Sequence, residues 1–237
     1  MVVSEPQNVY DDPRFFAGYS KMERFGAGWE RAMERPVFLG LLPAVAGRRV
    51  VDLGCGVGQL ARYLAEQGAA SVVGVDVSEK MLEIARRDWA HPRVTHRREA
   101  METVDFPAGS VDLVVSSLAF HYVADYAGLV ARIARWLSSG GMLVFSTEHP
   151  IYTSRGERLG ATEWYGREGV REHTWFVEGV RRYHRTFATL MNGLTDARLT
   201  VERVEEPLPD EAWLAAHPGQ EEEVHRPMFL VVRARKR

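Results

Sequence analysis

Short apolar runs alternate with amphipathic segments along most of the chain. Four valine-rich runs predict buried strands at residues 49–53, 71–76, 111–116 and 142–146. Apolar periodicity predicts helices between them, at residues 59–67 and about 127–137 and around Met81. We expect Gly68 and the pair Gly140-Gly141 to end two of these helices. The alternation predicts an α/β fold of the Rossmann-like, doubly wound type, with helices on both faces of a mostly parallel sheet.

The two ends of the chain depart from this rhythm. Residues 1–47 predict a helical cover, since aromatic and apolar side chains fall there at helical spacing: Phe15, Phe16, Tyr19, Met22 and Phe25. Residues 147–183 contain no long periodic element, which favours a lid over a passive loop. Residues 184–237 predict a helix and two final strands. With residues 48–146 as the cofactor-binding core, the 237 residues fit one domain.

Charge and cysteine content exclude several classes of protein. Lys plus Arg number 30 against 32 for Asp plus Glu, which disfavours a nucleic-acid partner bound through a broad basic surface. The single cysteine, Cys55, excludes an internal disulfide and a cysteine-based metal site. His149, His173 and His184 match no regular metal-ligand spacing, so no metal is expected. No apolar run approaches the ~18 residues of a membrane span, and no signal peptide is evident, so we expect a cytoplasmic protein without membrane contact.

A glycine-rich turn follows the first predicted strand. Gly54, Gly56 and Gly58 form a G-x-G-x-G pattern, which allows a ligand to approach the backbone closely. Gln59 stands where a dinucleotide fingerprint has its third glycine, which counts against a nicotinamide dehydrogenase. Asp52 would repel a pyrophosphate but could pair with a cationic amino group. A ligand with an ammonium and no phosphates, such as S-adenosyl-L-methionine, fits this turn better than a dinucleotide does.

A second carboxylate ends the next strand. Asp76 lies 20 residues after Gly56 (76 − 56), about the spacing at which an acidic residue binds ribose hydroxyls. The alternative is a helix-capping role beside Ser78. The expected adenine pocket consists of Val77, Met81, Ala100 and Met101. For Met101, packing in the core is an equally good interpretation.

Four stretches carry a resemblance to a known family. Residues 52–58, 74–82, 116–122 and 140–150 resemble class I S-adenosylmethionine-dependent methyltransferases. His184-Arg185-Thr186 and residues 226–230 are similar to a bacterial branch that acts on small molecules. The resemblance implies a seven-stranded sheet with its last strand antiparallel, S-adenosylmethionine as cofactor and S-adenosylhomocysteine as product. It also implies that Ser117, in the third stretch, contacts the cofactor.

Side chains after the third and fourth strands are candidates for the methyl-acceptor site. His121 and Glu148 with His149 should meet at the carboxyl edge of the sheet. His121 could be a general base or a hydrogen-bond donor, because its ordinary pKa suits proton transfer at neutral pH. Glu148 with His149 could bind an acceptor amine or form an acid–base pair. The alternatives are a bond from His121 to a loop carbonyl, and a structural role for Glu148 and His149 where the lid begins.

Further candidates lie on the lid and on the N-terminal cover. His184 is placed where the lid returns, and Arg185 beside it could bind a carboxylate or form a salt bridge between lid and core. Tyr19 could cover the cofactor or simply pack in the core. Aromatic side chains of the lid could form a wall for a cyclic substrate or a small core of their own: Trp164, Tyr165, Trp175 and Phe176.

The function class follows from what the chain has and lacks. Some methyltransferases of DNA or protein bind a planar amide or amine through an Asn-Pro-Pro-Tyr-type motif after the third strand. This chain has Ser-Leu-Ala-Phe at residues 117–120 instead. The sequence therefore predicts methyl transfer to an O or N nucleophile of a small molecule. A methyltransferase of RNA or protein, and a non-catalytic protein that binds the cofactor or its product, are the alternatives. The oligomeric state stays open.

Overall fold

A seven-stranded sheet forms the centre of the computed structural model, which describes residues 6–21, 33–154, 164–216, 218–219 and 225–237. Its strands are β1 (Arg49–Leu53), β2 (Ser71–Asp76), β3 (Val94–Arg98), β4 (Val111–Ser116), β5 (Leu137–Glu148), β8 (Leu199–Glu205) and β9 (Phe229–Lys236). A separate hairpin contains β6 (Gly169–Trp175) and β7 (Val177–His184). The helices are α1 (Pro13–Tyr19), α2 (Glu34–Leu41), α3 (Gln59–Glu66), α4 (Glu79–Asp88), α5 (Tyr126–Trp136), α6 (Pro150–Thr153), α7 (Phe187–Asp196) and α8 (Glu211–Ala216).

The strand order of the sheet is β3-β2-β1-β4-β5-β9-β8. The first five strands, β1 to β5, all run parallel to one another, whereas β9 runs antiparallel to both of its neighbours, β5 and β8. The expected α/β fold, with its last strand antiparallel, is therefore confirmed. β3 was not predicted, because it lies at the sheet edge and its polar residues leave no buried apolar run.

Helices cover both faces of the sheet. On one face, α5 and α7 bury side chains such as Ile133 and Leu194 against the strands. On the other, α2 and α3 do the same with side chains such as Phe38 and Leu64. Each fully buried side chain of this size stabilises the fold by about 1.5–3 kcal/mol. The two apolar layers hold the strand ends, and thereby the site built on them, in fixed positions.

Hydrogen bonds join the N-terminal segment to the start of α4. Ser78 caps α4, as expected, because its hydroxyl accepts from the backbone N–H of Met81 at 3.2 Å. The same hydroxyl donates to the Asp11 carboxylate at 2.6 Å, which also accepts from the backbone N–H of Lys80 at 3.1 Å. The segment before α1 therefore sits over the start of α4. Met22 and Phe25, part of the expected helical cover, lie outside the described residues.

Two sequence expectations about secondary structure are wrong. Gly140-Gly141 does not end a helix: α5 already ends at Trp136 and β5 begins at once. The glycines lie in a bulge of β5, where Gly140 has φ +73° and the pairing with β4 shifts register. The lid segment is also not devoid of regular structure, since β6 and β7 form an antiparallel hairpin. Half-buried and exposed positions alternate along β6, but they carry arginine, glutamate and histidine, which hid the strand pattern.

No described helix combines the length and the apolar character needed to cross a membrane.

Candidate active site

A cavity of about 480 Å³ lies at the carboxyl ends of the parallel strands. Its floor comes from the ends of β1, β2, β4 and β5 and the loops that follow them, and its cover from the N-terminal segment and the hairpin. This is the edge of a doubly wound sheet at which ligands bind, where the strand order reverses between β1 and β4.

The glycine-rich turn after β1 has a backbone that side chains would not tolerate. Gly54 has φ +71°, and a Cβ placed there would lie 2.5 Å from the Cβ of Ala119. Gly56 has φ +52°, and a Cβ there would meet no atom within 4 Å. Both glycines line the cavity. The turn thus exposes bare backbone to the cavity, as a closely approaching ligand requires.

Asp52 is a buried carboxylate at the cavity wall. It is 1% exposed, and its Oδ2 has no hydrogen-bond partner among the described residues. Burial, reinforced by the negative charge of Asp76, raises the pKa of Asp52 to about 7, although the Arg35 charge opposes the shift. A buried carboxylate oxygen without a partner is costly. A ligand that brings a cationic donor would remove that cost, so the ammonium of S-adenosylmethionine fits the residues present.

Asp76 faces the same cavity from the end of β2. Its Oδ2 accepts from the backbone N–H of Gly56 at 2.8 Å, and its Oδ1 accepts from that of Ser78 at 2.9 Å. Burial raises its pKa, and the two backbone bonds oppose the rise. Because a carboxylate offers about four lone-pair positions, each oxygen can still accept a ribose hydroxyl. Asp76 does not cap α4 through its own side chain, since Ser78 performs that role.

The other expected cofactor residues also line the cavity: Tyr19, Val77, Met81, Ala100, Met101 and Ser117. The Ser117 side chain is fixed by a hydrogen bond, since its hydroxyl donates to Oε1 of Glu34 at 2.9 Å. The Ser146 hydroxyl donates to the same oxygen and accepts from the backbone N–H of Leu118 at 3.0 Å. Leu118 has φ +53°, so this buried network holds an uncommon backbone conformation where β4 enters the cavity.

His121 and Glu148 meet at the far side of the cavity. We call this side of the cavity the acceptor end. It is lined by Tyr122, Glu148, Tyr152, His173, Trp175, Arg182 and Phe229. His121 is buried, and its Nδ1 accepts from the backbone N–H of Glu148 at 3.4 Å. Nη1 of Arg182 donates to both carboxylate oxygens of Glu148, at 2.8 and 2.7 Å. Burial raises the pKa of Glu148, and the Arg182 charge opposes the rise.

Two expected catalytic histidines do not line the cavity. Nδ1 of His149 accepts from the backbone N–H of Ile151 at 3.0 Å and so caps α6, while its Nε2 lies 2.8 Å from Glu206. His184 is fully buried between the hydroxyl of Thr153, at 2.7 Å, and a backbone carbonyl, at 2.9 Å. The His149 ring therefore stabilises α6, which precedes the hairpin, and the His184 ring stabilises the end of β7. We therefore correct the expectation and leave them out of the acceptor site.

The alternatives left open for the lid are decided by contacts. Arg185 donates to the backbone carbonyls of Val123 and Ala124, the latter at 2.9 Å, so it fastens the hairpin to the core, and no carboxylate in the described part of the chain pairs with it. Trp175 lines the cavity, whereas Trp164 and Phe176 lie at the surface.

Sequence reasoning missed several residues of the site: Tyr10, Glu34, His173 and Arg182. Glu34 reaches Ser117 across 83 positions of sequence, and no local pattern reports such a contact. Arg182 and His173 come together only because β6 and β7 pair, and Nε of Arg182 donates to Nδ1 of His173 at 3.2 Å. A correctly predicted hairpin register would have found this pair.

The fold and the glycine-rich turn are of the Rossmann-like type, and comparisons with known proteins specify the class of protein. A family model described as a methyltransferase domain matches residues 51–145. The crystal structure of an S-adenosylmethionine-dependent methyltransferase from Mesorhizobium loti is 42% identical, with 87% of this chain and 99% of that chain covered and a TM-score of 0.81. A Listeria monocytogenes structure assigned to the same class is 33% identical, with 89% and 99% covered and a TM-score of 0.79. An uncharacterized Haemophilus influenzae protein is 37% identical over 97% of both chains.

The chain therefore belongs to the S-adenosylmethionine-dependent methyltransferases of class I. It is an enzyme that uses S-adenosylmethionine as its methyl donor.

Proposed function

We propose that this enzyme methylates an O or N nucleophile of a small molecule held at the acceptor end. S-Adenosylmethionine supplies a methyl group on a positively charged sulfur, and an acceptor lone pair takes it by in-line displacement while the carbon–sulfur electron pair stays on sulfur. Asp52 binds the ammonium and Asp76 the ribose hydroxyls. Val77, Met81, Ala100 and Met101 enclose the adenine.

The cover over part of the cavity supports the proposal of a small substrate. α1 and the hairpin meet over the site, where the ring of Trp175 lies 5.2 Å from that of Phe15 and 5.8 Å from that of Tyr19, centroid to centroid. Tyr10 joins this cluster, with its ring 5.1 Å from that of Tyr19. These aromatic contacts between α1 and the hairpin narrow the access to the strand ends, which favours a small molecule over a folded polymer. The balanced charge of the chain supports the same conclusion.

The position of the acceptor end follows from the strand order. Asp52 and Asp76 end β1 and β2, whereas His121 and Glu148 follow β4 and end β5. Neighbouring strands lie about 4.8 Å apart, so the two groups of residues are separated by roughly the width of two strands. A substrate beside Glu148 therefore lies next to the bound cofactor. Orientation of this kind accounts for much of the acceleration of bimolecular displacements.

His121 serves as a hydrogen-bond donor in this arrangement. Its Nδ1 accepts a backbone hydrogen bond from Glu148, so the neutral ring carries its proton on Nε2. A ring in this tautomer donates to a methyl acceptor and does not remove its proton. We infer that His121 orients the acceptor and that its leaving proton passes to solvent or to another group.

Methyl transfer from labelled S-adenosylmethionine tests the proposal. The purified enzyme is incubated with a bacterial extract separated into metabolites, protein and RNA, and the labelled fraction is identified by mass spectrometry. We expect label among the metabolites, and none with an Asp52→Ala variant whose thermal unfolding is cooperative. Label confined to protein or RNA would contradict the proposal.

A further inference from the structure

The ion pair between Glu148 and Arg182 is fixed in the wall of the acceptor end. Beyond its two bonds to Glu148, Arg182 donates through Nε to Nδ1 of His173 at 3.2 Å. Its guanidinium also lies over the ring of Tyr152, 5.6 Å from the centroid. Three different side chains therefore hold the guanidinium plane, and the proposed methyl transfer itself assigns this pair no task.

Both members of the pair keep hydrogen-bonding capacity toward the cavity. Of the five guanidinium hydrogens, Nε and Nη1 carry three, and no described residue accepts from the two on Nη2. The Glu148 carboxylate has about four lone-pair positions, and Arg182 occupies two of them. The Arg182 side chain is 14% exposed and that of Glu148 19%, and both residues line the cavity. A hydrogen-bond donor and a hydrogen-bond acceptor therefore stand side by side.

The acceptor end is balanced in charge. Glu148 and Arg182 neutralise each other, burial lowers the pKa of His173, and burial raises the pKa of the Tyr122 phenol. An anionic substrate would face the Glu148 carboxylate, and a cationic one the guanidinium, with the partner charge already occupied. Burying an unpaired charge is costly, so an uncharged substrate is favoured.

Aromatic side chains give the acceptor end flat walls: Tyr122, Tyr152, Trp175 and Phe229. Aromatic rings pack best against other planar systems, either offset-stacked or edge to face. The Arg182 guanidinium lies 5.6 Å from the centroid of the Tyr152 ring, so a planar molecule bound to the ion pair would also lie near an aromatic ring.

We propose that the methyl acceptor is an uncharged planar heteroaromatic compound with a ring N–H next to a ring carbonyl. The ring N–H donates to the Glu148 carboxylate, and the carbonyl accepts from Nη2 of Arg182. This substrate class rests on the proposed function, because it describes the occupant of the same acceptor end. The methylated O or N lies elsewhere on the molecule.

Calorimetric titration of matched probes tests the class. The enzyme is first saturated with S-adenosylhomocysteine, whose own titration shows that the cofactor site is functional. It is then titrated with 2-quinolone, N-methyl-2-quinolone and quinoline-2-carboxylate, and in parallel with 2-pyridone and N-methyl-2-pyridone. We expect at least one lactam to bind about tenfold more tightly than its N-methyl counterpart, the effect of one hydrogen bond to a charged group. The carboxylate should bind more weakly than 2-quinolone.

A paired variant keeps the test valid if single variants fold poorly. Glu148→Leu combined with Arg182→Met replaces the ion pair by apolar side chains of similar size, a change that buried pairs often tolerate. This variant should bind S-adenosylhomocysteine normally and lose the preference for the lactam over its N-methyl form. Arg181→Met is the control, since Arg181 precedes Arg182 in β7 and is not among the residues that line the cavity.

Two results would overturn the substrate class. One is equal affinity of both lactams and their N-methyl forms in the wild-type enzyme. The other is tightest binding by the carboxylate. Either result, together with normal S-adenosylhomocysteine binding, leaves methyl transfer to a different small molecule intact. Label found only in protein or RNA in the preceding experiment would instead refute the proposed function itself.

Discussion

The ionisation of Asp52 should make cofactor affinity depend on pH around neutrality. Its pKa is raised to about 7 in the ligand-free protein, because the carboxyl group is buried and lies near the charge of Asp76. The proposed bond to the cofactor ammonium requires the ionised form. Binding should therefore weaken as the pH falls through 7, where Asp52 takes up a proton, and should level off above 8. The sign is that of a group whose proton must leave before the ligand can bind.

The size of the effect follows from the ionised fraction. A group with this pKa is about 90% ionised one unit above it and about 10% ionised one unit below it. The apparent affinity scales with the fraction of binding-competent protein, so the dissociation constant should rise about tenfold between pH 8 and pH 6.

Calorimetry with S-adenosylhomocysteine at pH 6, 7 and 8 measures this dependence. Two controls isolate the contribution of Asp52. The variant Asp52→Asn should bind more weakly but with little change over the same pH range. 5′-Methylthioadenosine, which lacks the ammonium, should bind the wild-type enzyme with no such dependence. If wild-type protein and Asp52→Asn show the same pH profile, the assignment of Asp52 to the ammonium is refuted.

Further predictions concern single residues. Both Gly54 and Gly56 have positive φ, but Gly54→Ala should lower the melting temperature more than Gly56→Ala, because only the Cβ at position 54 would clash, at 2.5 Å from the Cβ of Ala119; we expect Gly54→Ala to destabilise the fold by at least about 1–3 kcal/mol. Asp76→Ala should weaken S-adenosylhomocysteine binding by about 1–3 kcal/mol, and unchanged affinity in a folded variant would refute the ribose assignment. His121→Asn, which keeps a donor, should retain more methyl-transfer activity than His121→Leu; equal losses would contradict the donor role. His184→Ala should lower the melting temperature, because it leaves buried partners unpaired, yet leave S-adenosylhomocysteine affinity within about twofold, because His184 is not among the residues that line the cavity.

The cofactor end could be predicted from the sequence because its determinants are local. A strand, a turn with Gly54 and Gly56, and a carboxylate on either side of that turn lie within 25 residues (52 to 76), so one short stretch of sequence contains all of them. The fold follows from the same local signals, since alternating strands and helices permit few topologies. The structure placed Asp52 and Asp76 on the cavity as these signals suggest.

The acceptor end could not be predicted in the same way, since its contacts cross long stretches of sequence. Glu148 meets Arg182 across 34 positions, and Tyr122 meets Tyr10 across 112. In the sequence, His149 follows a strand and His184 stands at the end of the lid. Their side-chain directions depend on α6 and on the hairpin, and the polar sequence of the hairpin does not predict its strands. A residue that directly follows a strand must lie at the edge of the sheet where that strand ends. Its place in the sequence does not determine which way its side chain points.

The two ends of the cavity differ in how their charges are balanced, and this difference bears on the order of binding. Asp52 has a buried oxygen without a partner among the described residues, so the cofactor end gains most from a cationic ligand. Glu148 and Arg182 already neutralise each other, so the acceptor end gains only what shape and two hydrogen bonds supply. The cofactor should therefore bind tightly without the acceptor, while the acceptor should bind weakly until the cofactor completes the neighbouring wall. Product release should follow the same logic, with the methylated product leaving before S-adenosylhomocysteine.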